Sequence, residues 1–127
     1  MAMKFFRSLI ILGAAAFAGV GAVGPAAAQA SLDGRWSVLI VTEKGTCDRG
    51  YRYPIRISHG VIGHADPANS SFDIKGRVRG GGRVSVTVSR GTQSASGTGR
   101  LSRDSGSGTW RTAANDCSGT WTAERRG

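Results

Sequence analysis

From Trp36 onward, apolar and polar residues alternate with a period of two, and apolar residues do not recur at the three- and four-residue spacing of a helix. Trp36, Val38, Ile40 and Thr42 share one face of a first strand. Ser37, Leu39 and Val41 share the other, which predicts a strand buried on both sides. Tyr51, Tyr53, Ile55 and Ile57 then face one way, and Arg52, Pro54, Arg56 and Ser58 the other. Pro54 has no N–H to give to a ladder, so an edge or a bulge is expected there. His59-Gly60 predicts a turn before a short strand near residues 61–64, and residues 66–70 predict a loop.

The cleanest hairpin follows. Phe72, Ile74, Gly76 and Val78 alternate with Asp73, Lys75, Arg77 and Arg79; Gly80-Gly81-Gly82 supplies a tight turn; Val84, Val86 and Val88 alternate with Ser85, Thr87 and Ser89. Residues 90–93 predict another turn, residues 94–102 a Gly/Ser-rich strand, and residues 104–106 a further turn. A last hairpin is expected from residues 109–112 and 120–124 around Ala114-Asn115-Asp116. The fold class is therefore all-β, a small antiparallel meander of seven or eight strands that closes as a barrel or packs as a sandwich. Closure removes the unpaired edges that an all-β chain must otherwise protect, so a barrel is the expectation. About eight strands leave an interior filled by side chains or holding one small ligand.

The chain before this pattern is different. Lys4 and Arg7 precede an uncharged, Leu/Ile/Ala-rich run from residue 8 to 23, Gly24-Pro25 breaks it, and Ala28-Gln29-Ala30 offers a small-x-small cleavage site. Residues 1–30 read as a cleaved secretory signal peptide, with cleavage after Ala28 or Ala30, and residues 31–127 as one β domain. The expected location is periplasmic or secreted, the signal is of the bacterial export type, and no membrane-integral segment remains after cleavage. Cys47 and Cys117 both follow the signal, and in an oxidising compartment a single disulfide between them is the default. A domain of this size buries a modest core, so a cross-link spanning most of it would brace it.

Composition adds charge. The chain carries 17 Lys+Arg against 8 Asp+Glu, a formal net charge of +9. Beyond the signal only Lys44 and Lys75 are lysines; every other cation is an arginine. Lys75, Arg77 and Arg79 lie on one outward face, Arg83 follows the turn, and Arg52 and Arg56 point outward from an earlier strand. If those strands are neighbours, the six form a basic stripe suited to phosphate, sulfate or carboxylate. Partners met outside the cytosol include acidic polysaccharide and anionic lipid head groups. Specific nucleic-acid binding is not expected, because export removes the chain from the cytosol and no aromatics interleave with the arginines as stacking surfaces would.

Three Gly-x-Trp units punctuate the domain: Gly34-Arg35-Trp36, Gly108-Thr109-Trp110 and Gly119-Thr120-Trp121, the last two inside a repeated Ser-Gly-Thr-Trp. Each is expected to begin a strand whose Trp plugs the end of the core. The opening Asp33-Gly34-Arg35-Trp36 resembles the Gly-x-Trp start of lipocalin-like barrels. In that family the first-strand Trp closes the barrel floor against an Arg late in the chain, and the resemblance gives that part to Arg125 or Arg126 against Trp36. It covers only these few residues, and the chain has no room for the long first loop and C-terminal helix of lipocalins. Small periplasmic protease inhibitors of barrel form are similar in their Gly-x-Trp start and one disulfide, although their disulfide closes a much shorter loop than 47 to 117. Both likenesses imply shape, not activity.

Catalytic chemistry is thin. No GxSxG elbow surrounds any Ser, no carboxylate pair stands out as an acid/base couple, and Gly80-Gly81-Gly82 sits between strands rather than before a helix, so it is not a phosphate loop. No enzymatic activity and no cofactor are expected. His59 and His64, with Asp66 nearby, are weak metal candidates that would matter only if the two imidazoles met across a turn. The sequence thus points to an exported, non-enzymatic binding protein that offers a basic Arg face to an anionic envelope component. Two alternatives stand beside it. One is a carrier of a small apolar ligand inside the barrel near Trp36, Tyr51, Tyr53 and Phe72, made conceivable by Gly- and Ser-rich strands with few large side chains. The other is an enzyme inhibitor or interaction protein presenting residues 43–49 and 65–71.

Overall fold

A computed structural model describes residues 32–127; the predicted signal, residues 1–30, lies outside the described residues. The alternation becomes eight antiparallel strands: β1 (Gly34–Lys44), β2 (Gly50–Ser58), β3 (Val61–His64), β4 (Asp73–Arg79), β5 (Arg83–Arg90), β6 (Gln93–Leu101), β7 (Ser105–Thr112) and β8 (Ser118–Arg125). Each pairs with the next, and β8 returns to β1 along a register from Trp36↔Arg125 to Lys44↔Ser118, so the meander closes as a barrel. Every strand has a neighbour on both sides, although the short β3 covers only Ile55–Ser58 of β2 and Gly76–Arg77 of β4. The inner positions hold the apolar residues, while the outer positions of β4 and β5 are Asp, Lys, Arg, Ser and Thr. That is the reverse of a lipid-facing barrel, whose outer band is apolar.

One local expectation is narrowed and two are corrected. Pro54 marks no bulge and no edge strand, but it does lie at a local edge: it pairs with Ser37 on β1, while β3 reaches only Ile55–Ser58 of β2. Its carbonyl accepts the Ala65 N–H at 3.0 Å, and its missing N–H falls on the same side, past the last β3 pair, where no ladder bond is lost. β1 is not buried on both sides, because Val41 is 36% exposed and Ser37 and Leu39 are only half-buried. The turn expected at residues 104–106 lies earlier. Ser102 donates its N–H to the Ser105 carbonyl at 2.7 Å, and Ser105 already starts β7.

The core is concentrated at one end, here the closed end. Trp36, Ile57 and Val78 are the most completely buried large side chains, with Leu32, Ile62, Val84 and Leu101 around them. The Trp36 indole N–H donates to the Leu32 carbonyl at 3.0 Å, and the Arg125 guanidinium carbon lies 4.8 Å from the centre of the Trp36 ring. Arg125 Nη1 also donates to the Asp33 carbonyl at 2.8 Å, and its Nε to the Arg103 carbonyl at 2.8 Å. One fork of donors therefore ties three chain segments over the first-strand Trp, and the floor arginine is Arg125. At the other end the Cys47–Cys117 disulfide joins the β1–β2 loop to the residue preceding β8.

Candidate functional site

The loops β1–β2, β3–β4, β5–β6 and β7–β8 all lie at the end away from Trp36, and residues of all four line the mouth of a cavity of about 550 Å³ inside the barrel. Its walls are apolar: Val38 and Ile40 on β1, Ile74 on β4, Val86 and Val88 on β5, Ala95 on β6. The void exists because these inward side chains are short and branched and do not reach across the barrel. Trp110 and Trp121 complete the wall. Both indole N–H groups are already used, Trp110 on the Val41 carbonyl at 3.0 Å and Trp121 on the Thr98 carbonyl at 3.2 Å, so the rings offer the interior apolar surface.

Gly99 on β6 and Gly108 on β7 do not create this space. A Cβ on Gly108 would lie 2.6 Å from the Trp121 Nε1, and one on Gly99 would lie 2.5 Å from the Trp121 ring. Trp121 occupies the room that side chains at those positions would need. The sequence expectation that Gly/Ser-rich strands leave room inside therefore holds for the first half of β6, where Ser94, Ala95, Ser96 and Gly97 line the cavity, and not for Gly99 and Gly108. The emptiness lies towards the mouth, between β1, β2, β4, β5 and the start of β6.

Aromatic residues gather at the mouth. Tyr51 and Tyr53 have ring centres 4.7 Å apart, and Phe72 lies 5.5 Å from Tyr51 and 5.2 Å, edge-on, from Tyr53. The Arg90 guanidinium carbon lies 5.0 Å over the Phe72 ring. Burial pushes the Tyr53 phenol up to about 12, with Tyr51 adding to the rise and the Arg90 charge opposing it. The Tyr53 hydroxyl makes no hydrogen bond to another described residue. Asp48 and Asp116 border the mouth from the β1–β2 and β7–β8 loops. The Asp116 carboxyl is held below the ordinary carboxylate range, first by the Thr112 hydroxyl, which donates to it at 2.6 Å, and then by backbone N–H groups.

Of the predicted ligand-binding residues, Tyr51, Tyr53 and Phe72 line the cavity. Trp36 does not; it is 1% exposed beneath the floor, where Leu32 and Arg125 enclose it. Sequence reasoning missed Arg90; it singled out Trp110 and Trp121 as strand-starting plugs of the core, whereas Trp110 lies late in β7 and both rings line the cavity. Arg90 was legible as the next inward position after Val84, Val86 and Val88, but its neighbouring Gly91 made it read as a turn.

The basic residues divide. Lys75, Arg77 and Arg79 point outward on β4, and Arg79 lies opposite Arg83 on β5, which lies opposite Arg100 on β6. Arg100 was not among the expected residues, yet it completes a row of three arginines across three adjacent strands near the closed end. Its Nη1 donates to the Gly81 carbonyl at 3.2 Å. Among the described residues, Arg77, Arg79, Arg83 and Arg100 have no carboxylate within ion-pair distance, while Lys75 lies 3.7 Å from Asp73. Arg56 is separated from this row by β3, whose outward residues there are Gly63 and Val61. Arg52 turns the other way and donates to the Ser37 hydroxyl at 3.0 Å. A single stripe of all six residues does not form.

His59 and His64 sit at opposite ends of β3, so the turn does not bring them together. His64 Nδ1 accepts the Asp66 N–H at 2.9 Å, and no group of three or more potential metal ligands occurs among the described residues. No protein-family model matches the sequence, and no curated protein matches it.

Proposed function

We propose that this protein is an exported carrier that holds one small, mainly apolar molecule in the open end of its barrel. The observation that supports this is the cavity of about 550 Å³, walled by aliphatic and indole surface and ringed at its mouth by Tyr51, Tyr53 and Phe72. Its size lies within the ~300–1,000 Å³ typical of small-molecule sites. At ~30 Å³ per water-sized unit it takes a ligand of roughly 20 non-hydrogen atoms. At ~0.3 kcal/mol per such atom the expected affinity is ~6 kcal/mol, a dissociation constant in the tens of micromolar.

The test is titration with a neutral, environment-sensitive dye such as Nile red, read both by dye emission and by quenching of Trp110 and Trp121. Ala95→Phe places a ring inside the cavity and abolishes binding while the barrel stays folded. If the wild type fails to bind any apolar probe, or the variant binds as well as the wild type, the carrier reading is wrong.

A second reading is favoured by one further observation, the Arg79–Arg83–Arg100 row. Like charges placed directly opposite each other on neighbouring strands cost stability, and an anionic polysaccharide or lipid head group lying across them would offset that cost. Charge reversal at Arg79 and Arg83 together should abolish binding to an acidic polysaccharide and remove most of its salt dependence. Unchanged retention would end this reading without touching the first, because the row lies near the closed end and the cavity opens at the other.

A further inference from the structure

We propose that the ligand is an amphiphile with a carboxylate head, its apolar body inside the barrel and its carboxylate at the rim against Arg90. The inference rests on the carrier reading and adds the chemistry of the polar end. Arg90 occupies the inward face of β5 one step beyond Val88, so the strand's own alternation aims a cation over an apolar hole. Its guanidinium carbon lies 5.0 Å over the Phe72 ring, so the exposed fork rests against an aromatic face at the mouth. Among the described residues no carboxylate pairs with it.

Beside it the phenol of Tyr53 is half-buried with its hydroxyl unpartnered, and Tyr51 follows two residues away on the same inner face. A guanidinium with phenolic O–H donors beside it matches a planar carboxylate. The rim carboxylates do not compete for this position. Asp48, in the β1–β2 loop, makes no ion pair with Arg90. Asp116 is engaged by the Thr112 hydroxyl.

The experiment displaces a bound neutral dye with dodecanoic acid, methyl dodecanoate and dodecylamine, using the processed full domain with its disulfide intact. The three probes share one chain and differ only at the head. The acid should bind about tenfold more tightly than the ester at low salt, as expected for a charge-assisted contact at a half-open site, and the gap should narrow as salt is added. In Arg90→Gln the acid-to-ester ratio should fall to about one. The melting temperature of that variant confirms that the barrel is intact.

Equal binding of acid and ester by the wild type overturns the carboxylate assignment while leaving the carrier reading standing. Preference for the amine overturns it in favour of the Asp48 and Asp116 side of the rim. An acid preference that survives Arg90→Gln overturns the role of Arg90. Failure of the dye and all three probes to bind removes the carrier reading and this inference together.

Discussion

Replacing Gly108 by Ala and, separately, Gly63 by Ala tests whether the glycine-rich wall is built around Trp121. The two substitutions are chemically identical, and both positions lie in strands of the same barrel. At Gly63 a Cβ meets nothing within 4 Å. There the methyl group mainly restricts the unfolded chain, which stabilises by about 0.4–1 kcal/mol. At Gly108 the new Cβ would sit 2.6 Å from the Trp121 Nε1 and would also crowd the Thr98 carbonyl, the two partners of a 3.2 Å hydrogen bond. Overpacking of this kind costs about 1–3 kcal/mol, and loss of the indole hydrogen bond adds about 1 kcal/mol. For a domain of this size each kcal/mol moves the midpoint by roughly 4–8 °C, so Gly108→Ala should melt on the order of 10–20 °C below the wild type and Gly63→Ala a few degrees above it. Thermal unfolding followed by far-ultraviolet circular dichroism gives the midpoints. The near-ultraviolet tryptophan signal reports whether Trp121 has moved. The reasoning is refuted if Gly108→Ala melts within a degree or two of the wild type, or if Gly63→Ala falls as far as Gly108→Ala does.

Three further outcomes follow from the same geometry. Cys47→Ser with Cys117→Ser opens a cross-link spanning 70 residues, which the chain-entropy relation converts to a loss of about 4 kcal/mol, read as a lowered guanidinium midpoint. Arg125→Met removes the donors to the Asp33 and Arg103 carbonyls and the contact over Trp36. It should cost about 2–3 kcal/mol in denaturant titration, and Arg125→Lys should not restore it, because an ammonium cannot span both carbonyls while lying flat on the indole. Tyr53 should form its phenolate near pH 12 in the folded protein, against 10.0 for the unperturbed group. Folding favours the neutral form, so this contribution to stability is complete below pH 10, falls as pH rises from 10 to 12, and vanishes from the pH profile of Tyr53→Phe.

Most of the fold was legible because period-two alternation is a local signal and turns carry their own residues. Val84, Val86 and Val88 against Ser85, Thr87 and Ser89 identify inside and outside with no tertiary information. What alternation cannot supply is the neighbour across the barrel. Gly97, Gly99 and Gly108 read as thin wall in sequence, and only the register, which sets Gly108 opposite Trp121, shows that they are the seat of a large ring. The Arg face failed as a single stripe for a similar reason: the short β3 inserts Gly63 and Val61 between Arg56 and Arg77. Arg100 was overlooked because its opposition to Arg83 depends on pairing between strands. The expected floor contact fared better, since one Trp near the start and one Arg near the end are enough to state it, and closure of β8 onto β1 brings them together.

The two ends of the barrel are built by different means, and that difference connects stability to the proposed function. At the closed end Leu32, Trp36, Ile57 and Val78 are buried together, and the backbone there is tied by Arg125. An end held by packing cannot also hold cargo. At the open end the interior is left unfilled, so hydrophobic burial cannot hold the loops, and the chain uses a covalent tie at Cys47–Cys117 and short polar turns such as Thr112 with Asp116 instead. These fasten the rim from the edge of the cavity, which Cys47, Thr112 and Asp116 border. Filling the cavity should therefore stabilise the barrel, as cavity-filling substitutions commonly do. Ala95→Phe should raise the melting temperature as it abolishes ligand binding, whereas a bulky residue that fails to stabilise would mean that the space is already closed by packing in solution.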